Sequence, residues 1–196
     1  HWRELVGLAP SKLTGAQRYH FIAGWAPWFA DALNTAVTAL ALVWTVGLVT
    51  LPKVFEFPLR FFLCASLGFF ALKVGKTLWL YAARVKATPG QNLAAALAGL
   101  SLTHTIGKAI FSGLFTKSRP FMRTPKCEDQ PAFVRGLLAS REESTILALL
   151  ALGAFAIFVR YGSDDVEALL WIALLAVQSL PYVASLSTAM VNSLPA

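Results

Sequence analysis

Residues 117–126 read Lys-Ser-Arg-Pro-Phe-Met-Arg-Thr-Pro-Lys, and four of these ten side chains are cationic. Pro120 and Pro125 work against both helix and strand, because proline fixes φ and removes a backbone donor. A stiff basic stretch between apolar tracts offers electrostatic chemistry. It can hold anionic lipid heads, as a positive-inside loop does, or reach the phosphates of a nucleotide diphosphate. Few other residues have chemical capacity. Asp31 and Asn34 are three apart on one helical face, where a carboxylate is either a paired or snorkelled group or part of a polar path. His104 has no Cys, Asp or second His at ligand spacing, so packing or interfacial placement is its expected role. Cys64 and Cys127 are too few and too far apart for a disulfide framework or a metal site.

The elements that must carry these residues follow from composition. Of 196 residues, 57% are hydrophobic and 14% charged, against about a quarter charged in soluble domains, and mean hydropathy is +0.61. Residues 32–52, 144–159 and 168–196 carry no charge, in runs of 21, 16 and 29. Roughly 20 apolar residues cross a bilayer core, so an integral membrane protein is expected. The net charge of +7 sits beside apolar tracts, which points to anionic lipid heads or a nucleotide diphosphate and away from nucleic acid.

Residues 1–27 are expected to hold a short interfacial helix around 13–21, capped by Thr14 and lying flat on the cytoplasmic surface. Trp25 and Trp28 suit an aromatic belt or, alternatively, stacking on a polymer. Residues 28–83 form a first transmembrane pair, with spans at 28–50 and 58–83 joined by an external turn containing Pro52 and Pro58. Lys73 and Lys76 fall where lysines snorkel to the surface or contact phosphate.

The tract 93–115 carries one charge, Lys108, and is long enough to span. A spanning tract would put the basic loop outside, against the positive-inside preference. It is therefore expected to lie along the inner surface, making 84–143 one cytoplasmic segment with nine of the 17 Lys and Arg. Residues 131–143 suggest an amphipathic helix ending in Arg141-Glu142-Glu143, either solvated or paired with the basic loop. Residues 144–196 supply the second pair, at 144–159 and 166–189. Ser163 or Asp164 is the expected cap between them, and Pro181 a kink. The expected fold is all-α, with about four transmembrane helices, cytoplasmic interfacial helices and both termini inside.

Phe121-Met122-Arg123-Thr124-Pro125-Lys126 resembles the Phe-x-Val-Thr-x-Lys gating loop of cellulose synthase-like processive family-2 glycosyltransferases, with Arg123 where valine is usual. The order of helices resembles the membrane half of those enzymes. The stretches Leu13–Phe21, Ala23-Gly24-Trp25 and Thr103-His104-Thr105 are similar to bacterial β-glucan synthases of the β-1,3-glucosyltransferase type. The resemblance implies a channel-and-gate region in the bacterial inner membrane. Residues 117–128 would close over a nucleotide sugar such as UDP-glucose, with Phe121 and Thr124 shutting the site and Arg123 and Lys126 on the diphosphate. Trp25, Trp28 and Asp31 would line the path of the growing glucan.

The family's Asp-x-Asp metal site, base aspartate and Gln-x-x-Arg-Trp motif have no counterpart here; Gln17-Arg18-Tyr19-His20-Phe21 only imitates the last. The resemblance thus implies an upstream catalytic domain that binds Mg or Mn, with no cofactor on this chain and no catalysis by it alone. The alternative from another class is a small membrane transporter or scaffold subunit that uses the basic loop to bind a partner. Transporters often show broken helices in related halves, and no internal repeat is evident.

Overall fold

The computed structural model describes residues 12–85, 88–116, 134, 136, 138 and 140–191, with backbone alone at 26, 27, 69, 73, 76 and 77. The gating-like motif Phe121–Lys126 lies outside the described residues, as do the side chains of Lys73 and Lys76. All described regular structure is helical. Among the described residues four helical stretches are long and apolar enough to cross a membrane: Trp28–Thr50, Pro89–Phe115, Arg141–Tyr161 and Val166–Val191. The chain has the make-up of a multi-pass α-helical membrane protein.

The first helix, α1, runs Gly15–Thr50. Thr14 caps it as expected: Gln17 N–H donates to Thr14 Oγ1 at 3.3 Å, and Thr14 N–H donates to Gln17 Oε1 at 2.9 Å. Among the described residues the helix expected around 13–21 is not separate from the first span. One continuous 36-residue helix continues across Gly24 and Pro27 into the span. Extending an established helix adds a hydrogen bond per residue fixed, so a break is not obligatory where two local breakers lie inside a favourable run.

At its far end Leu51 N–H donates to Gly47 O at 2.8 Å and the chain folds back over the helix. Gly47 makes this possible, since a Cβ there would lie 2.6 Å from the Phe55 ring. Trp44 packs edge-on against that ring at 5.0 Å and donates from Nε1 to Glu56 O at 3.1 Å.

Helix α2 covers Arg60–Leu80 and passes into a π-helical turn at Tyr81–Val85. Its first residue, Arg60, pairs with Glu167 at the start of the last helix. Helix α3, Pro89–Ser101, opens with Pro at its first turn and a second capping box, Thr88 with Gln91. Leu102, at φ −89° and ψ −13°, joins it to α4, Thr103–Phe115. The tract leans on two partners, α3 on the last helix and α4 on α1. The sequence expectation assigned a span to 58–83 and laid 93–115 on the surface. By length and composition the stretch Pro89–Phe115 is among the four, at the lowest mean hydropathy, 1.3, and in α2 the apolar stretch Arg60–Leu72 falls among the described residues. Its glycines and hydroxyls lower hydropathy, yet Lys108 is its one charged residue.

Helices α5, Arg141–Tyr161, and α6, Val166–Val191, form a tight hairpin. Gly162 ends α5 at φ 78°, a backbone geometry that glycine adopts without steric cost. The cap of α6 is Asp165, whose Oδ1 accepts from Ala168 N–H at 3.1 Å. Ser163 and Asp164 stand too early in the turn for the expected role. The core forms where α1, α5 and α6 meet, around Leu48, Leu150, Ile157, Trp171, Leu175 and Tyr182. Polar groups inside it pair with one another. Thr45 Oγ1 accepts from Trp171 Nε1 at 3.0 Å, and Tyr161 OH donates to Leu48 O at 2.9 Å. Thr38 Oγ1 lies 2.8 Å from Gln178 Oε1.

Candidate functional site

The chemically capable side chains gather at the end of the bundle where α5 begins, around the crossing of α4 over α1. Gly107 sets that crossing. A Cβ on Gly107 would overlap the Thr35 hydroxyl and stand 3.0 Å from the Asp31 carbonyl oxygen, so only a glycine lets the two helices approach this closely. Thr35 Oγ1 donates to Asp31 O at 3.1 Å, so the hydroxyl that occupies the space beside Gly107 is satisfied on its own helix. Asp31 is half-buried here. Asn34, its expected companion, is partly buried, with Nδ2 shielded and without a hydrogen-bond acceptor among the described residues.

Beyond the crossing, toward the start of α1, the helices diverge and leave an open apolar groove of about 620 Å³. Trp25, Trp28 and Phe29 form one wall, and Ile106, Ile110 and Leu114 line the other. Two of the three residues expected along a polymer path thus stand together, while Asp31 sits at the crossing and outside the groove lining. Both tryptophans are substantially exposed, at 40% for Trp25 and 50% for Trp28. Exposed aromatic faces of this kind suit flat, partly apolar ligands, including the faces of sugar rings. Phe121, Arg123, Thr124 and Lys126 lie outside the described residues, and α4 ends at Phe115, immediately before their segment.

A second cavity of about 330 Å³ opens between α4 and the first turn of α5, and its lining is mostly polar. His104 forms its floor. The residue is 7% exposed, and its ring tilts against that of Tyr182 with centroids 5.7 Å apart. The expected packing role therefore holds. His104 Nε2 lies 3.4 Å from Glu142 Oε2, and Nδ1 is buried without a partner among the described residues.

Glu142 also pairs with Lys108 of α4. The sequence left the acids of Arg141-Glu142-Glu143 either solvated or paired with the basic loop; in the structure α4 holds Glu142, and the loop lies outside the described residues. Tertiary packing brings Lys108 and Glu142 together across 34 positions, and the first turn of α5 favours a carboxylate there through its free N–H groups. Both partners are about half exposed, so the pair orients the helices more than it stabilises them.

Glu143 is the residue that sequence reasoning missed. It is 7% exposed and lines the same cavity. One signal was present: Glu143, Leu150 and Ile157 are seven apart and all buried, so a helical stripe drawn through the two apolar residues would have placed the glutamate inside. Among the described residues no three His, Cys, Asp or Glu side chains are grouped to hold a metal ion. No family model matches the chain, and neither a curated protein nor a solved structure matches it.

Proposed function

We propose that this chain is the channel-and-gate region of a processive β-glucan synthase, which moves the polymer across a membrane as a separate catalytic domain extends it. One continuity along the chain carries the reading. The α4 wall of the aromatic groove leads directly into the segment that holds Phe121-Met122-Arg123-Thr124-Pro125-Lys126. A polymer path and a nucleotide-sensing loop need to be neighbours, because each added sugar must clear the site before the next donor binds.

In this mechanism the terminal hydroxyl of the glucan attacks the anomeric carbon of UDP-glucose. The new glycosidic bond forms as the bond to the diphosphate breaks, UDP departs, and the hydroxyl proton passes to a base on the catalytic domain. This chain supplies positioning. Arg123 and Lys126 neutralise the diphosphate through charge-assisted hydrogen bonds, Phe121 and Thr124 exclude water, and Trp25 and Trp28 offer flat faces to the outgoing sugars.

Membrane vesicles containing the native gene product, supplied with radiolabelled UDP-glucose, test this. Polymer should accumulate, and the Thr124→Ala, Lys126→Ala double variant should lower turnover by about tenfold or more, the size expected for losing a charge-assisted contact, with membrane insertion unchanged. Unaltered synthesis in the double variant, or no polymer dependent on a sugar nucleotide, would refute the proposal.

A further inference from the structure

Two opposite charges line the cavity between α4 and α5 without meeting. Glu143 is 7% exposed, and among the described residues it forms no ion pair with Lys, Arg or His. Arg141, two positions earlier and exposed, lines the same cavity and likewise forms no ion pair among the described residues. Glu142, between them, is already engaged by Lys108 and His104. A buried carboxylate without a cation is costly, yet this one borders about 330 Å³ of open space rather than packed apolar atoms.

We propose that this cavity holds the headgroup of a zwitterionic phospholipid that carries a primary ammonium, with the ammonium on Glu143 and the phosphate on Arg141. The occupant must present both signs, because a purely anionic lipid would bring a second negative charge beside a buried carboxylate, an arrangement that costs affinity. A primary ammonium has three N–H donors, enough to satisfy a carboxylate and further acceptors, whereas a trimethylated one has none. Lipid is the favoured source because the cavity lies at the first turn of the apolar stretch Arg141–Tyr161, the depth at which headgroups meet a spanning helix. The inference stands independently of the synthase reading.

Native mass spectrometry of the purified full chain in detergent tests it, with phosphatidylethanolamine, phosphatidylcholine and phosphatidylglycerol of matched acyl chains as probes. The ethanolamine lipid should bind about tenfold more tightly than either of the others, as expected for charge-assisted hydrogen bonds to the ammonium. Glu143→Gln should bring it level with the choline lipid, and Arg141→Gln should weaken both while preserving their order. Equal retention of all three lipids by the unaltered protein, or a preference that survives Glu143→Gln, would overturn the proposal. Should Glu143→Gln fail to fold, mono- and dimethylated ethanolamine lipids on the unaltered protein replace it. Affinity should fall with each N–H lost, and a flat series would overturn the assignment. Water-soluble glycerophosphoethanolamine that competes at lipid-like concentrations would overturn the lipid source.

Discussion

The two ends of the bundle are built from the same helices and treat polar groups in opposite ways. At the end where α1 turns back, Thr45 meets Trp171, Tyr161 meets the Leu48 carbonyl, Trp44 meets the Glu56 carbonyl, and the Phe55 ring covers Gly47. Each of these polar groups has a partner within the fold, the Thr45–Trp171 pair in the buried core and the others toward its edge. At the end where α5 begins, Asn34 Nδ2 and His104 Nδ1 lack partners among the described residues, Glu143 faces a cavity, and an aromatic groove stands open. Buried polar atoms are costly when nothing satisfies them, so Asn34 Nδ2 and His104 Nδ1, which lack partners among the described residues, are the groups at this end that a bound polar group would relieve most. The paired end is held together by hydrogen bonds between its elements, and the unpaired end combines the Lys108–Glu142–His104 contacts with two open cavities.

If that division is right, variants at the paired end should act on stability and variants at the other end on binding. The largest effect is expected from Trp171→Ala, which removes a buried ring and the donor to Thr45 Oγ1; a loss of about 3–5 kcal/mol is typical of such truncations. Reversible unfolding in mixed micelles would measure it, and a loss under about 1 kcal/mol would erase the contrast.

Gly107→Val should have an intermediate effect, because its side chain would collide with Thr35 and the Asp31 backbone. Overpacking of this kind costs about 1–3 kcal/mol. Since it parts α4 from α1, it should also change the fluorescence of Trp25 and Trp28, which the Trp171 variant should leave alone. An unmoved tryptophan spectrum would show that the groove does not depend on this crossing. The smallest effect is expected from Lys108→Gln, which breaks a half-exposed pair worth less than about 1 kcal/mol. A large loss of stability there would mean that the unpaired end also carries the fold.

Features that depend on composition were legible in the sequence. The described parts of the uncharged runs 32–52, 144–159 and 168–196 fall mostly within α1, α5 and α6, because lipid burial responds to residue type regardless of partner. Thr14 was recognisable as a cap because its partner, Gln17, is three residues away. What escaped depended on geometry across long separations or on competition between local signals. Gly24 and Pro27 look like a boundary, yet the helix continues through them. Asp165 outcompeted Ser163 and Asp164 for the α6 cap because it lies next to the first turn. Glu142 and Glu143 are identical in sequence terms; α4 sits beside one and leaves the other facing a cavity. Trp25 and Trp28 were legible as a pair, but Ile106, Ile110 and Leu114 opposite them follow from the placement of Gly107.

The unbroken length of α1 has a mechanical consequence. Thirty-six helical residues extend for about 54 Å, against a hydrocarbon layer of about 30 Å. The 13 residues before Trp28 therefore project as a rigid arm of about 20 Å that shares one axis with Leu48 in the core. A rotation of about 10° around the Gly107 crossing would sweep the Thr14 end through more than about 3 Å. Anything that grips the arm in water thereby gains leverage on residues buried at the opposite end of the span.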